Sequence, residues 1–299
     1  MNTNTPRISI ITPSFNQAPF LERTIRSVID QKYPNLDYWV IDGGSTDGSL
    51  DIILRHQDSL TNWISQRDRG QTDALNKGLA RVDGDIVAYI NSDDVLLPGS
   101  LDFIAQLMAD GTNPWVVGGC RKIDAVDNDM GCFDHHAPRS FANYLMHIDG
   151  MLPQPSCFWN RKLFLRHGGF DTSMHYCFDY EMHCRLLAAG HAPLLVDRDL
   201  AAFRFHNESK GGSQPRRFGL ERLVVAERYA NRLPLAQRLA LHRNIGYRTR
   251  LYAIEAARES AGPGLWSTLL RKPWWLASED IRRALWQDSR SPAPMRKAA

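Results

Sequence analysis

Four consecutive polar residues, Asn91-Ser92-Asp93-Asp94, follow directly on an apolar run, Ile86-Val87-Ala88-Tyr89-Ile90. Neighbouring carboxylates at the end of a buried strand suit a hard divalent cation, which takes oxygen ligands and can bridge protein to phosphate. The same residues could equally form an acid-rich turn capping the next helix. Similar small polar clusters end other apolar runs: Thr12, Ser14 and Asn16, then Asp42 to Asp47, then Asp68 to Gln71. They offer hydrogen-bond donors and acceptors but few cations. The turn Thr12-Pro13-Ser14-Phe15-Asn16 is not the Gly-rich phosphate loop of a dinucleotide fold, and no Walker pattern occurs. Such an edge could instead hold a nucleotide by carboxylate contacts to base and ribose, with a metal on its phosphates.

The elements that must position these groups alternate. Apolar runs at 8–12, 38–41, 63–65 and 86–90 read as buried strands. Helical spacing of apolar residues appears between them, over 19–31, around 50–54 and over 71–82, and again at 100–109. That alternation predicts βαβ units and a parallel sheet flanked by helices, an α/β fold whose ligands sit beyond the carboxyl ends of the strands. After Trp115-Val116-Val117-Gly118-Gly119 the pattern weakens, and 120–150 shows no clear period. Helices are predicted at 161–167 and 178–189, and short strands near 194–196 and 201–205. The remainder is helical in pattern, at 220–231, 235–259 and 281–286, punctuated by Pro234, Gly262-Pro263-Gly264 and Pro273.

Charge divides the 299-residue chain more sharply than its net +3 suggests. From Arg216 onward 17 basic residues face 7 acidic ones, whereas the preceding part holds 19 basic and 26 acidic residues. A basic helical extension behind an acidic body predicts two parts, 1–212 and 213–299, and a partner for the second that the first does not share. Trp266, Trp274 and Trp275 lie there among Arg271, Lys272, Arg282 and Arg283, a mixture that fits either an interfacial membrane helix or packing on protein. The acidic body argues against a nucleic-acid partner. Five cysteines without metal-ligand spacing predict free thiols. With no signal-like leader and no bilayer-length apolar stretch, the expected location is cytoplasmic, with peripheral contact to the inner membrane face as an option.

The motifs Thr12-Pro13-Ser14-Phe15-Asn16, Ile41-Asp42-Gly43-Gly44-Ser45-Thr46-Asp47-Gly48, Asp68-Arg69-Gly70-Gln71-Thr72-Asp73-Ala74-Leu75-Asn76-Lys77-Gly78 and Asn91-Ser92-Asp93-Asp94 occur in that order. Gln154-Pro155-Ser156, Gly168-Gly169-Phe170-Asp171 and Phe178-Asp179-Tyr180-Glu181 follow. Together they resemble the inverting nucleotide-sugar glycosyltransferases of family 2 over roughly residues 7 to 210. The resemblance implies a GT-A-like, nucleotide-diphospho-sugar transferase fold and a nucleoside-diphosphate sugar donor. It implies a Mg2+ or Mn2+ cofactor and transfer of a single sugar to an acceptor hydroxyl, in surface polysaccharide or lipid-linked glycan synthesis. Carried over by position, Asp42 reads the base, and Thr12, Ser14, Asn16, Ser45 and Asp47 surround the nucleoside. Gln71, Asn76, Lys77 and Ser92 lie near the donor. Asp93 and Asp94 hold ribose and metal, with His206 closing over the ion or diphosphate. The chain departs from the family pattern at Gly43 and Asn91, where acids are frequent.

Asp179 is the candidate base, since inversion needs a carboxylate on the acceptor side to take the hydroxyl proton. It opens a helix, where the dipole favours a negative charge. Glu181, two residues on, lies on another face. Arg204 and the Arg216-Arg217 pair read as a solvated face, with reach to a diphosphate as the other option. The Gln-x-x-Arg-Trp signature of processive synthases is missing. Two other functions share these features: a nucleotidyltransferase, which lacks here a basic Gly-rich loop after the first strand, and a non-catalytic glycan- or nucleotide-binding module, which would not need Asp93, Asp94 and Asp179 together.

Overall fold

The computed structural model describes residues 5–147, 150, 152–206, 209 and 214–259. The chain falls into two compact units that meet between Arg222 and Leu223, ten residues beyond the boundary expected at 212/213. The Trp-rich stretch and the helix expected at 281–286 lie outside the described residues.

The first unit is built on a mixed sheet. Its parallel half runs β3 (Asn62–Ser65), β2 (Leu36–Asp42), β1 (Ile8–Ser14) and β4 (Ile86–Tyr89). All seven residues of β1 and all four of β4 are buried, as both-faces coverage by helices requires. The covering helices are α1 (Ala18–Ile29), α2 (Ser49–His56), α3 (Gln71–Leu79) and α4 (Ser100–Met108). Leu21, Ile25 and Val28 of α1 and Ile52 and Ile53 of α2 share one core with Ile8, Ile10, Tyr38, Val40 and Ile86.

Beyond β4 the sheet changes direction. β8 (Cys157–Asn160) pairs antiparallel with both β4 and β6 (Trp115–Ile123). β9 (Leu194–Arg204) runs parallel to β6 and antiparallel to the short β5 (Val95–Leu96), and β7 (Asp129–Cys132) forms a hairpin with β6. The parallel character read from sequence thus holds for the first four strands and for the β6–β9 pair. The two strands expected at 194–196 and 201–205 are one, carried across polar Asp197-Arg198-Asp199 by shifts in register against β6. α5 (Phe141–Met146), α6 (Arg161–Arg166), α7 (Phe178–Ala188) and the first turns of α8 (Pro215–Tyr229) complete the unit.

In the second unit, α9 (Leu235–Glu259) gathers Ile254 with Tyr247, Leu251 and Ala253. No helix among the described residues is long and apolar enough to cross a membrane. All five cysteines are unpaired, as their spacing suggested.

Candidate active site

The register sets Ser14 beside Asp42 and Asp42 beside Ser65, so three strand ends stand level at one edge. Asp42 is fully buried there. One of its oxygens accepts from the Gly44 and Ser45 N–H groups at 3.0 Å and from Ser65 Oγ at 2.6 Å, and the other accepts from Ser45 Oγ. Its carboxylate is thus bonded by the loop that follows it and by the end of β3. Thr12 is also buried and bonded to Tyr38 Oη at 3.0 Å, which turns it into the sheet rather than toward a ligand.

The first two loops are stitched together. Asn16, with φ +51°, donates its N–H to Ser45 Oγ at 2.8 Å and accepts from Thr46 N–H at 2.9 Å. Asp47 accepts from the Ala18 and Ser49 N–H groups, tying the starts of α1 and α2. Burial works its carboxyl upward, but the bonds from Ser49 and Ala18 outweigh it and hold it below the ordinary value. Ser14 Oγ is buried with no partner among the described residues, an orphaned hydroxyl at the cleft edge. Gly43 has a packing reason: a Cβ there would stand 2.7 Å from Asp68 Oδ2 and 3.2 Å from the Phe15 ring. Phe15 is 58% exposed, so an acid and an aromatic that position-by-position reading passed over share the lip of this cleft.

Helix α3 lies close on β1 because Gly78 leaves room; a Cβ there would meet Ile11 at 2.7 Å. Gln71 at its start donates to Asn91 Oδ1 at 2.6 Å. Asn91 in turn donates to Asp94 Oδ2 at 3.0 Å and to Gln154 Oε1 at 3.2 Å, and Gln154 donates to the Tyr89 carbonyl at 3.0 Å. Asn76 faces away from this network, exchanging two bonds with the Phe170 backbone at 2.8 and 3.0 Å. Lys77 pairs with Asp73 at 3.3 Å. Ser92 is buried.

Asp93 and Asp94 are separated in role by their surroundings. Asp94 is buried, and its carboxylate accepts from the Arg204 N–H at 2.9 Å as well as from Asn91. Burial and the charge of Asp93 push its carboxyl well upward. Asp94 therefore anchors the turn rather than opening onto the cleft. Asp93 Oδ2 instead meets His206 Nε2 at 3.0 Å, and the imidazole packs 4.5 Å from the Phe20 ring. That separation fits a divalent ion: two adjacent ligands of an octahedral centre at ~2.1 Å stand about 3 Å apart. One carboxylate and one imidazole are also a plausible protein share for an ion that draws its other ligands from phosphate and water. No cluster of three or more acidic, His or Cys ligands occurs among the described residues.

Arg204 is not solvated but fully buried. Its Nε donates to the Asp93 carbonyl at 2.7 Å and Nη1 to the Asp124 carbonyl at 3.0 Å, with an ion pair to Asp127. An Arg flanked by apolar residues on a strand was the available signal, since a buried guanidinium needs several acceptors around it.

Asp179 is the second residue of α7 and half-buried. Burial pushes its carboxyl above the usual value, partly offset by the Tyr180 N–H and Arg222. Phe178 packs 6.1 Å from the Tyr89 ring, and the charges of both Asp179 and Asp94 act on the Tyr89 phenol. The start of α7 thus stands at the end of β4, the strand that delivers Asp93. Glu181 faces elsewhere, buried and paired with Arg185.

A sheet with acid- and hydroxyl-bearing loops along the carboxyl edge of its parallel half, and a second acid over β4, is the layout of GT-A glycosyltransferases. The mannosyltransferase PcManGT from Pyrobaculum calidifontis, solved with GDP-Man and Mn2+, superimposes with a TM-score of 0.60 at 24% identity, covering 94% of this chain and 83% of that one. Residues 9–168 match the family described as glycosyl transferase family 2, and the chain belongs to that family of sugar-transferring enzymes. An uncharacterized glycosyltransferase of Mycobacterium tuberculosis is 30% identical over 190 residues, 61% of this chain and 70% of the relative. The GalNAc(5)-diNAcBac-PP-undecaprenol beta-1,3-glucosyltransferase of Campylobacter jejuni is 30% identical over 119 residues, 38% of each chain. The chain spans about two fifths of the length of several curated relatives it matches.

Proposed function

We propose that this chain transfers one sugar from a nucleoside-diphosphate donor to an acceptor hydroxyl with inversion, using a divalent ion, Mg2+ or Mn2+. The observation that carries the reading is the convergence of Asp93 and His206 at the end of β4, with Asp179 at the start of α7 beside the same strand. Asp93 and His206 would hold the ion, which when bound offsets charge on the departing diphosphate. Ser14, Asp68 and Phe15 supply a free hydroxyl, an acid and an exposed ring for the nucleoside, while Asp42, Asn16, Ser45 and Asp47 hold the loops that shape its place. Gln71 and Asn91 fix the Asp93-Asp94 turn. Asp179 takes the acceptor proton, and the upward push of burial on its carboxyl makes it a stronger base than an exposed aspartate.

The acceptor we favour is a glycan carried on a lipid. The undecaprenol-linked substrate in the name of the Campylobacter relative and the basic extension of this chain support that choice.

A thermal-shift panel of UDP, GDP and other nucleoside diphosphates, each with Mn2+ or with chelator, tests the core of the reading. Ligand at about 100 times its Kd stabilises the native state by about 2.7 kcal/mol. The shift should need the metal, and Asp93→Asn and His206→Ala should abolish that requirement together with the gain. An equal shift in chelator would remove the ion from the proposal.

A further inference from the structure

The loop that leads into α7 is held from one side by one helix face. Glu221 of α8 accepts three backbone N–H groups in succession, from His175 at 2.9 Å, Tyr176 at 2.7 Å and Cys177 at 2.9 Å. Gln214 and Arg217, two turns and one turn earlier, both bond to Tyr176 Oη, at 2.7 and 2.9 Å. Phe218 meets the Tyr176 ring edge-to-face with centroids 5.2 Å apart, and its carbonyl accepts from Cys177 Sγ at 3.3 Å. Residues 214, 217, 218 and 221 recur at helical spacing, so this is a single stripe. The next residue, Arg222, lies over the Tyr180 ring at 5.9 Å and acts on Asp179.

Three donors converging on one carboxylate are an unusual concentration. The N–H groups that precede a helix have no carbonyl partner within it. A single carboxylate group accepts from three of them here, and hydrogen bonds to carboxylates are about twice as strong as neutral ones. The segment so fixed ends two residues before Asp179.

We propose that Glu221 and Arg222 are positioning residues for Asp179, Glu221 by locking the 175–177 loop and Arg222 by setting the electrostatics beside the carboxylate. The proposal rests on the reading of Asp179 as the base. It also makes the first turns of α8 part of the catalytic machinery, although they lie beyond residue 212. A transferred proton needs its acceptor held to within a fraction of an ångström, and misplacement by about 1 Å lowers rates by about 100-fold.

The test uses the full chain, with Mn2+, UDP-glucose, UDP-GlcNAc or GDP-mannose as the donor probe and water as the acceptor hydroxyl, and follows release of the nucleoside diphosphate as the sugar is hydrolysed off. Asp179→Asn is the reference and should lose about 1,000-fold in kcat. Glu221→Gln keeps size but faces an amide toward N–H donors. It should lose about 10- to 100-fold in kcat, with nucleoside-diphosphate affinity unchanged within about twofold. Hydrogen exchange at the amides of 175–177 should accelerate in the same variant, a change independent of turnover. Arg222→Met leaves the Glu221 bonds intact. It should move the acidic limb of the kcat profile to higher pH, because a cation beside Asp179 is gone, and Arg222→Lys should restore it. The groups facing Asp179 besides Arg222 are Glu221, Tyr89, Tyr144 and the thiols of Cys157, Cys177 and Cys184.

Full turnover in Glu221→Gln and an unmoved profile in Arg222→Met, with Asp179→Asn inactive, would overturn the positioning role and leave the base assignment standing. Should Glu221→Gln not fold, the Arg222 pair decides. Loss of nucleotide affinity in parallel with kcat would also overturn it, since the loop would then serve the donor. Full turnover in Asp179→Asn removes the base and the positioning role with it.

Discussion

Asp94 holds both carboxylate oxygens inward, on the Arg204 N–H and the Asn91 amide, while Asp93 beside it turns to His206. Sequence offers two equivalent acids; burial makes one an anchor and leaves the other turned to His206. The same distinction separates Asp42, enclosed by its own loop, from Asp68, whose Oδ2 stands where a side chain at 43 would go. Residue types and order put these acids at strand ends along one edge of the sheet, but did not show which acid of each cluster faces outward, because that depends on partners tens of residues away. Asn91 illustrates the point. An acid there would have looked like a better metal ligand, yet the amide donates to both Asp94 and Gln154. Asn91→Asp removes both donors and places a third carboxylate against Asp94. Each buried acceptor left unpaired costs about 1–3 kcal/mol, so a urea midpoint should report a loss of at least that size. An unchanged midpoint would show that the network is not built as described.

At the scale of elements, β1, β2, β4, α1 and α3 were legible because continuous burial and helical spacing are local signals. β8 was not. It is four residues long, and its two antiparallel partners, β4 and β6, lie about 40 to 70 positions away. The polar centre of β9 likewise hid a continuous strand, whose pairing with β6 shifts register across that centre and resumes at Asp199. α7 carries a second consequence besides Asp179. Its His183 is fully buried between Tyr144, Cys157 and the Trp115 ring, and burial depresses it to about 3. Unfolded histidine titrates near 6.5, so between those values the unfolded chain binds the extra proton. The stability His183 preserves by staying neutral is therefore full above about pH 6.5 and lost as pH falls toward the folded value. Relative to His183→Gln, the wild-type chain should lose about 2 kcal/mol between pH 7 and pH 5. Parallel losses in the two proteins would assign the acid sensitivity to other groups.

Across the whole molecule, the charge asymmetry invites its own test. Seventeen basic and seven acidic residues follow position 215, and each cation near an anionic surface contributes about 1 kcal/mol at low ionic strength. The full chain should float with phosphatidylglycerol vesicles at about 10 mM salt, not with neutral ones, and should be released as salt rises toward about 0.5 M and the Debye length shrinks. A chain that stays in the soluble fraction at low salt would argue for protein packing instead. The long reach of Arg204 has a different outcome, one of timing. The turn at Asp93 lies more than a hundred residues upstream of the guanidinium and imidazole that fasten it. A chain emerging from the ribosome can assemble its first parallel strands early, because their contacts span short loops. The Asp93–His206 pair must wait until residue 206 is out, so under the proposed function a nascent chain would shape its nucleoside edge well before it could hold the donor's diphosphate.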